Sequence, residues 1–148
     1  MLRMTKLTNN AEQTWIALAR SYRTILEEVE RSFKRAGLPP LGWYDVLLEV
    51  ERAGQSGIRP YALQKRLLLP QYGISRLLDR LEREGLIKKL QCEEDKRGFE
   101  VCITEKGQKI RQDMWPIYAD ALSRTIQSPM SPDALQTISK LLTPLHDA

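Results

Sequence analysis

Apolar positions recur with helical spacing over most of this chain, and the pattern changes to short alternating runs only around residue 90. After an arm over residues 1–9 that reads as frayed, Trp15, Leu18, Ala19, Tyr22, Ile25, Leu26, Val29 and Phe33 keep one helical stripe to about Arg35. Asn10 followed by Gln13 resembles a capping box for its start. Gly37-Leu-Pro-Pro40 breaks the stripe, and a second helix is predicted from about Leu41 to Arg52, closed by Ala53-Gly54. Pro60 suits the first turn of a third helix ending near Arg66, and a fourth is predicted from about Pro70 to a terminating Gly85. Leu86–Gln91 and Phe99–Ile103 then read as two strands around a turn at Glu93–Gly98. Thr104 is an N-cap for a fifth helix to about Ile126, and Ser131 caps a last one to about Leu145 after Ser128-Pro-Met-Ser-Pro132. The class is mainly α with one small β-hairpin.

The fourth helix separates its faces. Ile74, Leu77, Leu78 and Leu81 form an apolar stripe, and Tyr72, Arg76, Asp79 and Arg83 point the opposite way, with Gln71 and Ser75 on one flank and Arg80 on the other. Hydrogen-bonding groups at the N-terminal end of such a helix, with arginines along it, suit the major groove of DNA. Gln71, Tyr72, Ser75 and Arg76 are the candidate base readers, and Lys65, Arg66, Arg80, Lys88 and Lys89 are candidate phosphate contacts. Gly73, placed inside this helix, is expected to weaken it relative to alanine by roughly 1 kcal/mol.

Composition narrows the classes without deciding among them. The 148 residues carry a formal net charge of +4, and between Lys65 and Arg97 nine Lys/Arg face six Asp/Glu, an excess that fits a phosphate-facing surface. No apolar run approaches a membrane span, the start has no signal-peptide core, and two cysteines with no export signal point to a reducing cytoplasm. No glycine-rich phosphate loop, zinc-binding His pair or nucleophile elbow is present, so no catalytic residue and no cofactor is assigned. His146 is the only histidine and lies in the tail, so no metal site is expected. Cys92 and Cys102 fall on opposite arms of the hairpin, and two reduced thiols are expected there rather than a disulfide. At the chain ends, Ile110, Met114, Ile117, Tyr118 and Leu122 form one stripe and Leu135, Ile138, Leu141, Leu142 and Leu145 another. That is more apolar surface than a small lobe covers, and a second copy of the chain is the simplest partner.

The most specific motif is Asp95-Lys-Arg97-Gly-Phe-Glu-Val101-Cys-Ile-Thr104-Glu-Lys-Gly107. With Leu78-Asp79-Arg80-Leu81-Glu82, Gly85-Leu86-Ile87 and Leu41-Gly-Trp-Tyr-Asp-Val-Leu47, it resembles the MarR family of winged helix-turn-helix transcription regulators over about residues 11–145, Ile103 standing where the family usually has Leu. The resemblance implies one domain over residues 1–148, with a winged helix-turn-helix lobe at about 40–104 and dimerisation helices at about 10–36 and 105–146. It implies a homodimer on a pseudo-palindromic double-stranded operator, more often repressing than activating. In the wing, Lys96 and Arg97 are expected at a neighbouring minor groove, and Asp95 is placed to orient Arg97 or another arginine. Trp15, Tyr22, Trp43, Tyr44, Trp115 and Tyr118 fall on the helices that frame the family's effector pocket, which implies a small aromatic ligand, although the same spacing also fits plain core. The family's redox-sensing branch relies on a cysteine near the start of the first helix, and none occurs there. The competing class is a winged-helix protein-interaction module without DNA binding.

Overall fold

In the computed structural model, which describes residues 5–95 and 97–147, the helices and the hairpin follow the order that the spacing predicts. They are α1 (Asn9–Arg35), α2 (Leu41–Ala53), α3 (Pro60–Arg66), α4 (Ile74–Arg83), β1 (Ile87–Gln91), β2 (Phe99–Ile103), α5 (Glu105–Leu122) and α6 (Pro132–His146). Three boundaries differ from expectation, each for a local reason. The cap of α1 is Thr8, whose Oγ1 accepts from the Ala11 N–H at 3.2 Å; the Asn10 carbonyl is already helical and accepts from the Thr14 hydroxyl. The fifth helix does not stay α-helical to Ile126 but widens into a π-helical turn at Ser123–Gln127, closed by Ser128 N–H donating to the Ser123 carbonyl at 2.8 Å. The fourth helix starts at Ile74 rather than Pro70, because Gly73 takes a left-handed conformation (φ 75°, ψ 44°) that interrupts any helix arriving from residue 70. The cost assigned to a glycine within that helix therefore does not arise. Ser131 does cap α6, its Oγ accepting from Ala134 N–H at 3.1 Å.

The chain divides into two compact units, one of Ser32–Tyr118 and one formed by the residues before and after it. In the first, Val46, Leu47, Val50, Ile58, Leu63, Leu78, Leu81, Leu86, Ile87, Val101 and Ile103 make one buried cluster drawn from α2, α3, α4 and the hairpin. β1 and β2 pair antiparallel, with Ile87 opposite Ile103, Lys89 opposite Val101 and Gln91 opposite Phe99. Ile58 adds an isolated bridge on the far side of β2, exchanging two hydrogen bonds with Val101 at 3.1 and 2.9 Å. This unit reaches beyond the lobe expected at 40–104. Phe33, Tyr44, Trp115 and Tyr118 form an aromatic cluster that ties the last turn of α1 and most of α5 to it, with neighbouring ring centroids 5.2–6.3 Å apart.

In the other unit, the Arg124 guanidinium bonds Glu28 at 2.8 Å and Asp120 at 2.9 Å. That arginine holds the Glu28 carboxyl below the usual carboxylate range. The stability this pair contributes is present above the unfolded carboxyl's pKa and is lost as pH falls through the lowered one. No residue of α6 is buried, and Leu141 and Leu145 are 69% and 64% exposed. Among the described residues, α6 is thus an amphipathic helix whose apolar face stays largely open.

Candidate nucleic-acid interface

Two helices and a fixed connection build the helix-turn-helix. Pro60 opens α3, and the segment after it is held by the buried Asp45 of α2, whose two carboxylate oxygens accept from the Leu68 and Leu69 N–H groups at 3.1 and 2.9 Å. The sequence does not signal this role for Asp45, since nothing in its own helix indicates that it caps a loop more than twenty residues away. α4 then starts from the Gly73 carbonyl, which accepts from Arg76 and Leu77 N–H at 3.0 and 3.2 Å. Leu78 and Leu81 are fully buried, Ile74 and Leu77 pack on the same core, and Ser75, Arg76, Asp79, Arg80 and Arg83 are exposed. The other end is tied to the hairpin: Leu86 N–H donates to Leu81 O, Thr104 N–H to Leu86 O, and the Thr104 hydroxyl to Gly85 O at 2.6 Å.

The predicted readers fall at different places. Ser75 and Arg76 lie on the exposed face of α4's first turn. Tyr72 and Gln71 precede the helix and so do not share its angular positions, contrary to expectation. Tyr72 projects freely at 96% exposure. The Gln71 amide instead lies over Gly42 of α2, where a Cβ would approach its Nε2 to 2.4 Å, and the Gln71 carbonyl accepts from the Gln64 amide at 3.4 Å. The Arg80 guanidinium sits over the Trp43 ring at 5.6 Å, and the Lys65 ammonium over Tyr61 at 5.7 Å, both at the exposed surface.

Lys89 is placed differently from a phosphate contact. It shares the inward face of the hairpin with Ile87, and its ammonium pairs with Asp79, lies 3.7 Å from Glu82 and stands 4.9 Å over the Phe99 ring. That pairing holds the Asp79 carboxyl below its usual range. Alternation from Ile87 places Lys89 inward and Lys88 outward, and Lys88 is indeed exposed.

In the wing, Asp95 Oδ1 accepts from Arg97 N–H at 3.0 Å, and Gly98 N–H closes the turn on the Asp95 carbonyl. The second carboxylate oxygen of Asp95 faces the guanidinium of Arg59 at 3.6 Å, a residue that no sequence motif marks. The Arg97 side chain is exposed, and Lys96 lies outside the described residues. Cys92 N–H bonds Gly98 O while Cys102 stands opposite Lys88, so the two thiols lie at different ends of the hairpin and are free. Cys102 donates to the Gln55 carbonyl, and burial, then the Glu100 charge, pushes its thiol pKa up.

Of the six aromatics expected together, Tyr44, Trp115 and Tyr118 meet, with Phe33 as an unforeseen fourth member. Burial, Asp45 and Tyr44 together push the Tyr118 hydroxyl up. Trp43 packs instead on the hydrophobic cluster beneath Arg80, and Trp15 and Tyr22 belong to the other unit, where they are exposed. Among the described residues no helix is long and apolar enough to cross a membrane, and no group of three or more His, Cys, Asp or Glu is gathered as metal ligands.

A helix-turn-helix followed by a hairpin wing defines the winged-helix class of folds, and comparison with known proteins narrows it. The MarR family model matches residues 36–98. An uncharacterised HTH-type transcriptional regulator of Bacillus subtilis, YkoM, is 28% identical over 145 residues, covering 94% of this chain and 92% of that protein. A MarR family regulator of Streptomyces coelicolor, solved in complex with DNA, superposes with a TM-score of 0.84 at 19% identity, covering 97% of this chain and 89% of that one. BpsR of Bordetella bronchiseptica, whose structure concerns regulation of its DNA binding by 6-hydroxynicotinic acid, gives a TM-score of 0.80 at 20% identity over 97% of this chain and 99% of that one. Residues 36–98 thus match the model of the MarR family of winged helix-turn-helix transcriptional regulators, and the whole chain has the fold of that family's solved members. That family consists of regulators rather than enzymes.

Proposed function

We propose that the chain acts in the cytoplasm as a homodimer on a pseudo-palindromic double-stranded operator, as a repressor whose grip a small aromatic effector alters. The observation that carries the reading is α4: its apolar stripe is packed away while Ser75, Arg76, Arg80 and Arg83 stay exposed beside an equally exposed Arg97. Support for the dimer comes from α6, which leaves its apolar face open. The effector reading rests on the cluster of Tyr44, Trp115 and Tyr118, in which Trp115 is 49% exposed, and on the regulation described for the Bordetella relative. A protein-interaction module would need none of these exposed arginines.

Selecting bound duplexes from random DNA tests the reading, and an enriched palindrome with half-sites about one helical turn apart is expected. On that site Arg76→Ala should relax preference at one symmetric base position and cost about 1–3 kcal/mol for each bidentate pair it removes. A uniform drop in affinity across sequences would reassign Arg76 to phosphate. The two wing lysines should differ. Lys88→Ala is expected to lower the slope of log affinity against log salt by about one unit for each phosphate that Lys88 neutralises, and Lys89→Ala to leave the slope unchanged because its ammonium is committed to Asp79 and Glu82. Equal slopes for both variants would refute that assignment.

A further inference from the structure

Asp95 divides its carboxylate between the backbone N–H of Arg97 and the guanidinium of Arg59, and the geometry assigns its charge to Arg59. We infer that Arg59 is a positioning residue for DNA recognition: by pairing with Asp95 it keeps that charge off Arg97, whose guanidinium is thereby left free for the minor groove. The inference rests on the reading of the wing as a DNA-contacting element.

Arg59 occupies the N-cap position of α3 in an extended conformation and makes no side-chain capping bond. Ser, Thr, Asp or Asn would serve a helix start there, because only a short side-chain acceptor reaches the free N–H groups of the first turn. An arginine offers donors alone, so helix capping does not account for it. Its backbone is anchored on one side by the Ile58–Val101 bridge and on the other by Leu63 N–H donating to the Arg59 carbonyl at 2.9 Å. From this base the side chain, one-third exposed, runs to the wing tip. There Nη1 lies 3.6 Å from Asp95 Oδ2, and a Cβ added at Gly98 would stand 2.5 Å from the same Nη1 and 3.2 Å from Cζ. The guanidinium is thus fitted against the backbone of the turn, and any larger residue at Gly98 would displace it.

The two oxygens of Asp95 are divided. Oδ1 holds the Arg97 backbone N–H and so shapes the turn, and Oδ2 faces Arg59. Among the described residues no carboxylate pairs with the Arg97 side chain. Removing the Arg59 charge leaves Asp95 with an unmatched carboxylate two residues from Arg97, and the nearest free cation among the described residues of that turn is Arg97 itself. A neutralised guanidinium loses the attraction that a narrow, electronegative groove exerts on it.

The test uses the full-length protein, with A·T-flanked and G·C-flanked versions of the selected operator competing at fixed salt. Arg59→Gln is expected to shrink the flank preference about two- to fivefold, the scale of one partly exposed ion pair. Adding Asp95→Asn to Arg59→Gln is expected to restore it, because an amide keeps the Oδ1 acceptor and removes the charge. Rescue by deleting a second charge is not what a purely structural defect gives. If Arg59 were a phosphate contact, both duplexes would weaken alike and the double variant would not recover, and that result overturns the inference. A second readout needs no DNA. Nitrogen-15 relaxation of Arg97 Nε should show a side chain mobile in the native protein, slowed in Arg59→Gln and mobile again in the double variant. Unchanged mobility in Arg59→Gln overturns the inference whatever the flanks do. The relaxation pattern without any flank preference in the native protein would uphold the pairing and defeat the DNA reading of the wing.

Discussion

Gly107→Ala should lower the unfolding free energy by about 2–4 kcal/mol, read as a fall in urea midpoint at constant slope. A Cβ at this position would stand 2.1 Å from the Leu86 carbonyl oxygen and 2.9 Å from Ile103 Cγ1. Neither neighbour is the loose end of a side chain. Leu86 is buried, and its carbonyl accepts from Thr104 N–H at 3.1 Å. The Thr104 hydroxyl accepts from Gly107 N–H at 3.0 Å and donates to Gly85 O. Backbone must therefore part from backbone where the end of α4, the hairpin and the start of α5 meet. Gln108→Ala, one position on, is the control and should move the midpoint little. A midpoint for Gly107→Ala within a few tenths of a molar of the control would mean that the strain relaxes cheaply.

Replacing both Leu141 and Leu145 by Asp should yield a folded monomer that binds operator about 10²–10⁴-fold more weakly than the native dimer. Both side chains are mostly exposed in the single chain, so two carboxylates there disturb little of the packing that the chain makes with itself. Across an interface between two copies the same carboxylates would be buried without partners, which costs several kcal/mol each. Once the copies separate, each half-site is bound alone and the gain from tethering a second lobe is gone. Sedimentation should give about 34 kDa for the native protein, twice the 17.1 kDa of the chain, and about half of that for the variant, with helical circular dichroism kept. A native monomer, or a variant that stays dimeric and binds normally, would remove α6 from the interface.

Whatever depends on periodicity over several turns is legible in the sequence. The apolar stripe of α4, the two strands and the caps at Thr104 and Ser131 all express a local pattern, and each element falls where that pattern puts it. What escapes depends on single dihedral angles or on distant partners. By spacing alone Gly73 is a weak link in a longer helix, whereas its positive φ is the reason the helix starts after it. The same spacing assigns Gln71 to a helical face that does not extend back to residue 71. Arg59 and Asp45 act on segments more than twenty residues away, so no local spacing marks them. Lys89 is the exception, since the alternation that places it inward is present in the chain. The aromatics divide because Trp43 and Tyr44, adjacent on α2, point about 100° apart, and only Tyr44 turns toward Trp115 and Tyr118.

The separation of faces on α4 bears on how such a regulator changes over generations. Its placement depends on Leu78, Leu81, Asp45 and Thr104, and the exposed groups through which it is proposed to meet DNA are Ser75, Arg76 and Arg83. These two sets share no residue. Exchanges at exposed positions that make no buried contact typically alter folding by less than about 0.5 kcal/mol. Duplicated copies of such a gene can therefore drift toward new targets one substitution at a time, each intermediate still folded and open to selection.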